Sequence, residues 1–128
     1  MQGMAIVAQR IQLVLYRTQM QEVIRKRAAE RFDRASMSLK QLELRHTEAV
    51  NSLKKAQEEP RNPRLEMQIR YLKDQLETLA RVEPEIRTEE LAAGFELKTE
   101  QAKLSDLQHQ LGQLEQQLEA RSPVLSRK

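Results

Sequence analysis

The feature that most constrains this chain is a seven-residue apolar repeat that runs in one frame from residue 65 to residue 118. Such a repeat puts two core positions per heptad, a and d, on one stripe of an α-helix, and helices with this pattern supercoil left-handed around each other. The a positions are Ile69, Leu76, Leu97, Leu104, Leu111 and Leu118, and the d positions are Leu65, Leu72, Leu79, Ile86, Ala93, Leu107 and Leu114. Glu83, Glu90 and Glu100 are the exceptions. We predict one long helix here.

The first half of the chain has a matching frame, which predicts a second long helix. Its apolar a positions are Met4, Ile11, Phe32, Leu39 and Leu53, and its apolar d positions are Val7, Val14, Ala28, Ala35, Leu42, Ala49 and Ala56. Thr18, Arg25 and His46 are polar a positions, and Gln21 is a polar d position. Because many d positions are alanine, we expect the two helices to approach closely there.

One stretch between the two frames has the residues of a turn. Pro60 and Pro63 stop a helix, Asn62 can cap the next one, and Pro63 suits its first position. The chain has only three Gly and four Pro, too few turn formers for a many-stranded sheet. We predict a single domain with helix one at about 3–57, a turn at 58–63, helix two at about 64–121 and a tail at 122–128.

A proline also lies inside the second frame. The frame keeps its phase across Pro84, and Val82 and Glu83 before it offer no good helix cap. We therefore expect a kink in one helix rather than a break. The predicted fold class is all-α, a long two-helix antiparallel coiled-coil hairpin whose second helix is kinked near Pro84.

Charge segregation favours a hairpin within one chain. Residues 1–34 carry seven Lys or Arg and three Asp or Glu, net +4, whereas residues 83–119 carry three and nine, net −6. Folding back at the turn places these segments side by side, whereas parallel pairing of two chains aligns like charges.

The polar core positions also suggest a register. If facing residue numbers add up to about 125, Arg25 lies opposite Glu100 and Phe32 opposite Ala93. The Arg25–Glu100 pair would then neutralise two awkward core charges and fix the register. In the competing register, with a sum of about 118, Glu100 faces Thr18.

The residues of a catalytic or metal site are not apparent. There is no Cys, and the two His, His46 and His109, are far apart in the sequence. Helix spacing spreads the carboxylates near Glu83–Glu90 around the helix, and the sequence has no glycine-rich phosphate loop or hydrolase motif. We predict a protein that is not an enzyme, without cofactor or metal.

A basic run, Arg25-Lys26-Arg27, raises nucleic-acid binding as a hypothesis. Glu22, Glu30 and Asp33 interrupt it, so the hairpin charge match is the favoured explanation. The sequence has no apolar run long enough to span a membrane, and its first residues do not resemble a signal peptide. The expected location is the cytoplasm.

Helix one carries a second apolar stripe, on the side turned away from the predicted seam. Ile6, Leu13 and Met20 fall at heptad position c, Tyr16 and Val23 at f, and Leu15 and Ile24 flank the seam. Such a stripe needs a cover. Self-association into a dimer or four-helix bundle and docking into a larger complex both stay open, and a role at a membrane surface is the third interpretation. The predicted partner-binding residues are Ile6, Arg10, Leu13, Tyr16, Arg17, Met20 and Val23.

The segment Arg10-Ile-Gln-Leu-Val-Leu-Tyr-Arg17, followed by Gln21-Glu22 and an Ala-rich heptad helix, resembles the FliJ/YscO-type stalk proteins of flagellar and type III secretion systems. The resemblance covers about the first 40 residues by pattern and the rest by architecture. It implies a central stalk whose end with both termini inserts into a hexameric ATPase ring. It also implies contact with the export gate and with export chaperones. The predicted function is a non-catalytic coiled-coil adaptor or stalk, with a self-assembling structural protein as the alternative.

Overall fold

The fold is all-α, as the sequence predicts, with the two helices and short turn of a helical hairpin. The computed structural model describes residues 2–120. Helix α1 spans Gln2–Glu58 and helix α2 spans Pro63–Ala120. These bounds extend the predicted α1 by one residue at each end and begin α2 one residue earlier. The predicted end of helix two at Arg121 and the tail at 122–128 lie outside the described residues.

The start of α2 has the cap that the sequence predicts. The Asn62 side-chain oxygen accepts a hydrogen bond from the Leu65 backbone N–H at 2.8 Å, and the Asn62 carbonyl accepts from the Glu66 N–H at 3.0 Å. Pro63 is the first helical residue, where its missing N–H costs no hydrogen bond. The local sequence therefore fixes where the chain turns back into a helix.

Burial follows the two heptad frames closely. Every d position of α1 from 7 to 56 is buried: Val7, Val14, Gln21, Ala28, Ala35, Leu42, Ala49 and Ala56. The buried residues of α2 are also a or d positions: Leu65, Ile69, Leu72, Ala93 and Leu104. His46 departs from the frame, because its side chain is exposed although it occupies an a position. An imidazole reaches solvent at lower cost than it enters an apolar core.

The chain divides into two compact units, one formed by Arg31–Gly94 and the other by the residues up to Glu30 with those from Phe95 onward. In the unit of Arg31–Gly94, Ala56, Leu65 and Ile69 form a buried cluster next to the turn, and Leu53 packs against it. At its other end the Phe32 ring lies over Gly94, where an added Cβ would be 3.2 Å from the ring. These contacts make this unit an antiparallel helical pair.

Phe32 and Gly94 also report the register of that unit. Phe32 is half-buried, and Ala93, the predicted neighbour of its ring, is only 1 % exposed. This contact agrees with the predicted register in which facing residue numbers add up to about 125. The competing register, with a sum of about 118, would shift one helix by a heptad along the other. Two exposed ion pairs cross between the helices of this unit, Arg31–Glu89 at 3.0 Å and Arg87–Glu43 at 3.4 Å.

Helix α2 continues through Pro84 without a break. A proline inside a helix donates no hydrogen bond to the carbonyl four residues earlier, here that of Ala80. The Pro84 carbonyl accepts a hydrogen bond from the Thr88 side-chain hydroxyl, with the two oxygens 2.8 Å apart. The predicted continuity of α2 is therefore observed, whereas the kink stays a prediction.

Candidate protein-interaction surface

The candidate site is a row of uncovered apolar side chains on α1, which we call the apolar stripe. All of its members are between 42 % and 61 % exposed. They all lie before Glu30, in the unit that also contains the residues from Phe95 onward. The stripe consists of Ile6, Leu13, Leu15, Tyr16, Met20, Val23 and Ile24.

The stripe is exposed because α1 uses its opposite side for the fold. Val7, Val14 and Gln21, one heptad apart, are 2 %, 7 % and 8 % exposed. Positions c and f lie across the helix from a and d, so a residue such as Leu13 or Tyr16 points away from the buried seam. The five stripe residues that the sequence predicts for partner binding are therefore surface residues, and the fold itself does not cover them.

Four cations border the stripe, and three of them, Arg10, Arg17 and Arg27, interact with no acid in the described residues, whereas Lys26 lies near Glu22 of its own helix. Arg10 and Arg17 flank it, and Lys26 and Arg27 follow within two turns of its end. All four are exposed, and none of them forms a hydrogen bond or an ion pair within residues 2–120. The predicted neutralisation of the basic first helix by the acidic second helix therefore does not extend to these side chains.

One edge of the stripe opens into a shallow groove between α1 and α2. Leu13, Val14 and Leu114 form its apolar floor. Arg10 and Arg17 line the α1 side. The α2 side is lined by the amides of Gln110, Gln113 and Gln117. The groove widens the apolar surface near Leu13 and offers hydrogen-bond donors on both sides.

The predicted register pair Arg25–Glu100 does not form within the described residues. Arg25 instead binds Glu22 of its own helix, with nitrogen and oxygen 2.5 Å apart, and its side chain is 28 % exposed. Glu100 accepts a hydrogen bond from the Gln21 side-chain amide, and the Gln21 amide also donates to the Glu100 carbonyl at 3.0 Å. A long arginine stem lets its charge stay near solvent, whereas a neutral amide is less costly to bury beside a carboxylate.

These contacts shift three pKa values in this unit. The hydrogen bond from Gln21 lowers the pKa of the Glu100 carboxyl, and nearby Lys103 adds to that effect. The hydrogen bond with Arg25 lowers the pKa of Glu22, and the same bond raises the pKa of Arg25. All three shifts favour the charged forms, so this region keeps its charges near neutral pH.

Sequence reasoning missed other exposed apolar residues. Met67 and Tyr71 at the start of α2 are 72 % and 62 % exposed, and Phe95 is 74 % exposed. The heptad frame could have found them, because it assigns Met67 and Phe95 to f and Tyr71 to c. Met67 and Tyr71 form a pair one turn apart, whereas the apolar stripe continues over three turns from Leu13 to Ile24, with Ile6 two turns before it.

The described part of the chain holds neither a candidate metal cluster nor a candidate membrane span. Residues 2–120 contain no cluster of His, Asp or Glu suited to a metal ion. Neither described helix has the combination of length and apolar content that a bilayer span requires. The class defined by fold and surface is a two-helix protein with one uncovered apolar stripe.

No family model, curated protein or solved structure matches this chain.

Proposed function

We propose that this protein is a non-catalytic helical adaptor that docks onto a protein partner through the apolar stripe. The observation that carries the proposal is the exposure of seven large apolar side chains, at 42–61 %, within five turns of one helix. Apolar patches of this kind on a folded surface mark interaction sites. Each such side chain contributes about 1.5–3 kcal/mol when it passes from full exposure to full burial.

The composition of the stripe supports protein docking. Its centre carries Tyr16 between Leu13 and Met20, and aromatic and long apolar side chains of this type dominate protein interfaces. The c and f positions Ile6, Leu13, Tyr16, Met20 and Val23 share the face turned away from the seam over a length of about 26 Å, which matches helix-in-groove recognition.

The resemblance to FliJ/YscO-type stalks suggests a particular setting. The segment 10–22, which carries part of the resemblance, contains the stripe residues Leu13, Leu15, Tyr16 and Met20, so a stalk would use the same surface for its partner. On this proposal the protein acts in the cytoplasm as the central stalk of an export ATPase, and the partner is a hexameric ATPase ring.

A triple variant tests the docking function. Leu13→Glu, Tyr16→Ser and Met20→Glu remove the centre of the stripe, and Met37→Glu, Leu44→Glu and Tyr71→Ser form a matched control in the other unit at similar exposure. Both proteins and the wild type are used for affinity capture from a native lysate, and captured proteins are quantified by mass spectrometry. We expect the wild type and the control variant to capture a set of proteins that the stripe variant does not capture. An identical set for all three contradicts docking through the stripe.

A further inference from the structure

We infer that the partner covers the apolar stripe with an acidic amphipathic helix. This inference rests on the proposed docking function and adds the chemistry of the partner. It starts from the four cations beside the stripe, Arg10, Arg17, Lys26 and Arg27, of which only Lys26 lies near an acid within the described residues, Glu22 of its own helix. Their arrangement indicates which groups a partner must bring, because a cation that becomes covered at an interface must keep water or gain an acid.

The three arginines interact with no acid in the described residues, although acids are available on the same unit. The exposed acids of α1 before residue 31 are Glu22, which already binds Arg25 at 2.5 Å, and Glu30. On α2 the Glu100 carboxylate is engaged by Gln21 and by Lys103 at 3.3 Å. The exposed acids Asp106, Glu115 and Glu119 on α2 form no ion pair with Arg10, Arg17 or Arg27. The charges of these three arginines are therefore left for a partner to neutralise.

The positions of the cations describe the partner. Arg10 and Arg17 share heptad position g and so lie along one flank of the stripe, whereas Lys26 and Arg27 lie just beyond its C-terminal end. One helix laid along the stripe would bury apolar residues spaced three and four apart. Its carboxylates would lie along one flank and cluster at the end next to Lys26 and Arg27.

Two other occupants fit these charges less well. A second copy of the chain would bring the same four cations to the interface, with Glu22 already paired, and like charges across an interface oppose association. An anionic membrane surface favours helices with cations on both flanks. Here the other flank carries the amides of Gln12 and Gln19, and its one cation, Lys26, lies beyond the end of the stripe.

Three synthetic peptides of three heptads each serve as probes. All have Leu at a and d, and they carry Glu, Gln or Lys at e and g, so that the Glu peptide does not pair with itself at neutral pH. Fluorescence anisotropy measures the affinity of each for the full chain at about 50 mM and about 500 mM salt. We expect the Glu peptide to bind about tenfold more tightly than the Gln peptide at low salt, and the Lys peptide to bind most weakly. At high salt the difference in affinity between the Glu and Gln peptides should vanish.

A cation variant identifies the residues responsible. Arg10→Gln, Arg17→Gln, Lys26→Gln and Arg27→Gln should remove the preference for the Glu peptide and leave binding of the Gln peptide unchanged. Removing four exposed cations of the other unit, Arg45, Lys54, Lys55 and Arg64, in the same way is the matched control and should keep the preference. The salt series on the wild type tests the inference even where a variant folds poorly.

The outcomes separate this inference from the docking function. The acidic partner is wrong if the wild type shows no preference for the Glu peptide, or if the cation variant keeps that preference. Docking through the stripe still stands in either case, provided that the triple stripe variant loses all peptide binding. If the stripe variant binds every peptide as the wild type does, both are wrong. Two further results overturn the acidic partner. One is that the wild type binds phosphatidylglycerol vesicles in a sedimentation assay more tightly than it binds the Glu peptide. The other is that the wild type forms a dimer and the stripe variant does not.

Discussion

The contact between Gln21 and Glu100 places a carboxylate in the seam between two helices. The Glu100 side chain is only 13 % exposed, and Gln21 is 8 % exposed. The amide satisfies the carboxylate, and Lys103 on the same helix adds a charge at 3.3 Å. A polar contact of this kind restricts which layers of the two helices can face each other, because a shift of one helix along the other leaves the Gln21 amide without the carboxylate and Glu100 with Lys103 alone.

The lowered pKa of Glu100 predicts how stability depends on pH. A carboxyl that binds protons less readily in the folded state stabilises the fold above its ordinary pKa of 4.5. That contribution is lost as the pH falls from 4.5 through the lowered value. We expect urea unfolding of Glu100→Gln to show a weaker loss of stability than the wild type across this acidic range. Equal pH dependence of the two proteins contradicts the contact.

The partner of Glu100 makes a second prediction. Gln21→Ala removes the amide that binds Glu100, whereas Arg25→Ala removes only an exposed pair with Glu22. We expect the unfolding midpoint in urea to fall more for Gln21→Ala than for Arg25→Ala. A double-mutant cycle with Glu100→Gln should show coupling to Gln21 and little coupling to Arg25. Stronger coupling to Arg25 would restore the register pair that the sequence suggests.

The two glycines of α2 predict different responses to alanine. A Cβ at Gly112 meets nothing within 4 Å, so Gly112→Ala should stabilise the protein by about 1 kcal/mol through helix propensity. A Cβ at Gly94 would lie 3.2 Å from the Phe32 ring, which has to move. Thermal unfolding should show a smaller gain, or a loss, for Gly94→Ala. Equal gains at both positions contradict the packing of Phe32 over Gly94.

At the scale of single residues, the sequence predicts burial more accurately than it predicts which side chains bind each other. The heptad frame alone assigns Val7, Gln21 and Ala28 to the seam, because burial depends on helix geometry that repeats along the chain. The choice of Gln21 over Arg25 depends on side-chain reach and desolvation, which no repeat encodes. His46 is exposed for the same reason, since an a position at the edge of a groove leaves room for a polar ring to turn outward.

The helices themselves follow from local sequence. Asn62 and Pro63 define where α2 begins, and the predicted bounds of both helices differ from the observed ones by one residue at the ends that the structure describes. These signals act through a few neighbouring atoms, so the sequence contains them fully. The heptad frame predicts that α2 continues across Pro84, as observed, whereas the size of a bend depends on packing around the proline, which a repeat does not encode.

Pro84 gives a prediction for the element that contains it. The residue is exposed inside a continuous helix, where a proline costs about 3 kcal/mol relative to alanine. Part of this cost is offset because proline also restricts the unfolded chain, by about 1 kcal/mol. Pro84→Ala should therefore raise the unfolding free energy in urea by about 2 kcal/mol. An unchanged or lower value would mean that the helix around residue 84 depends on the proline.

Over the whole molecule, the buried seam and the exposed apolar stripe use different faces of α1. The sequence locates both, because the second apolar column at c and f stands out once the a and d columns have been assigned. It does not identify what covers the stripe, since that depends on another molecule. The cations at Arg10, Arg17, Lys26 and Arg27 narrow the chemistry of that molecule, and they become apparent only when the ion pairs of the folded chain are known.

The unfolding free energy of the triple stripe variant tests the central claim most directly. Leu13→Glu, Tyr16→Ser and Met20→Glu should leave helical circular dichroism unchanged and keep the urea-unfolding free energy within about 1 kcal/mol of the wild type, because exposed side chains contribute little to the fold. The control variant with Met37→Glu, Leu44→Glu and Tyr71→Ser should behave alike. A loss of more than about 3 kcal/mol for the stripe variant alone would show that the stripe is core rather than a docking surface.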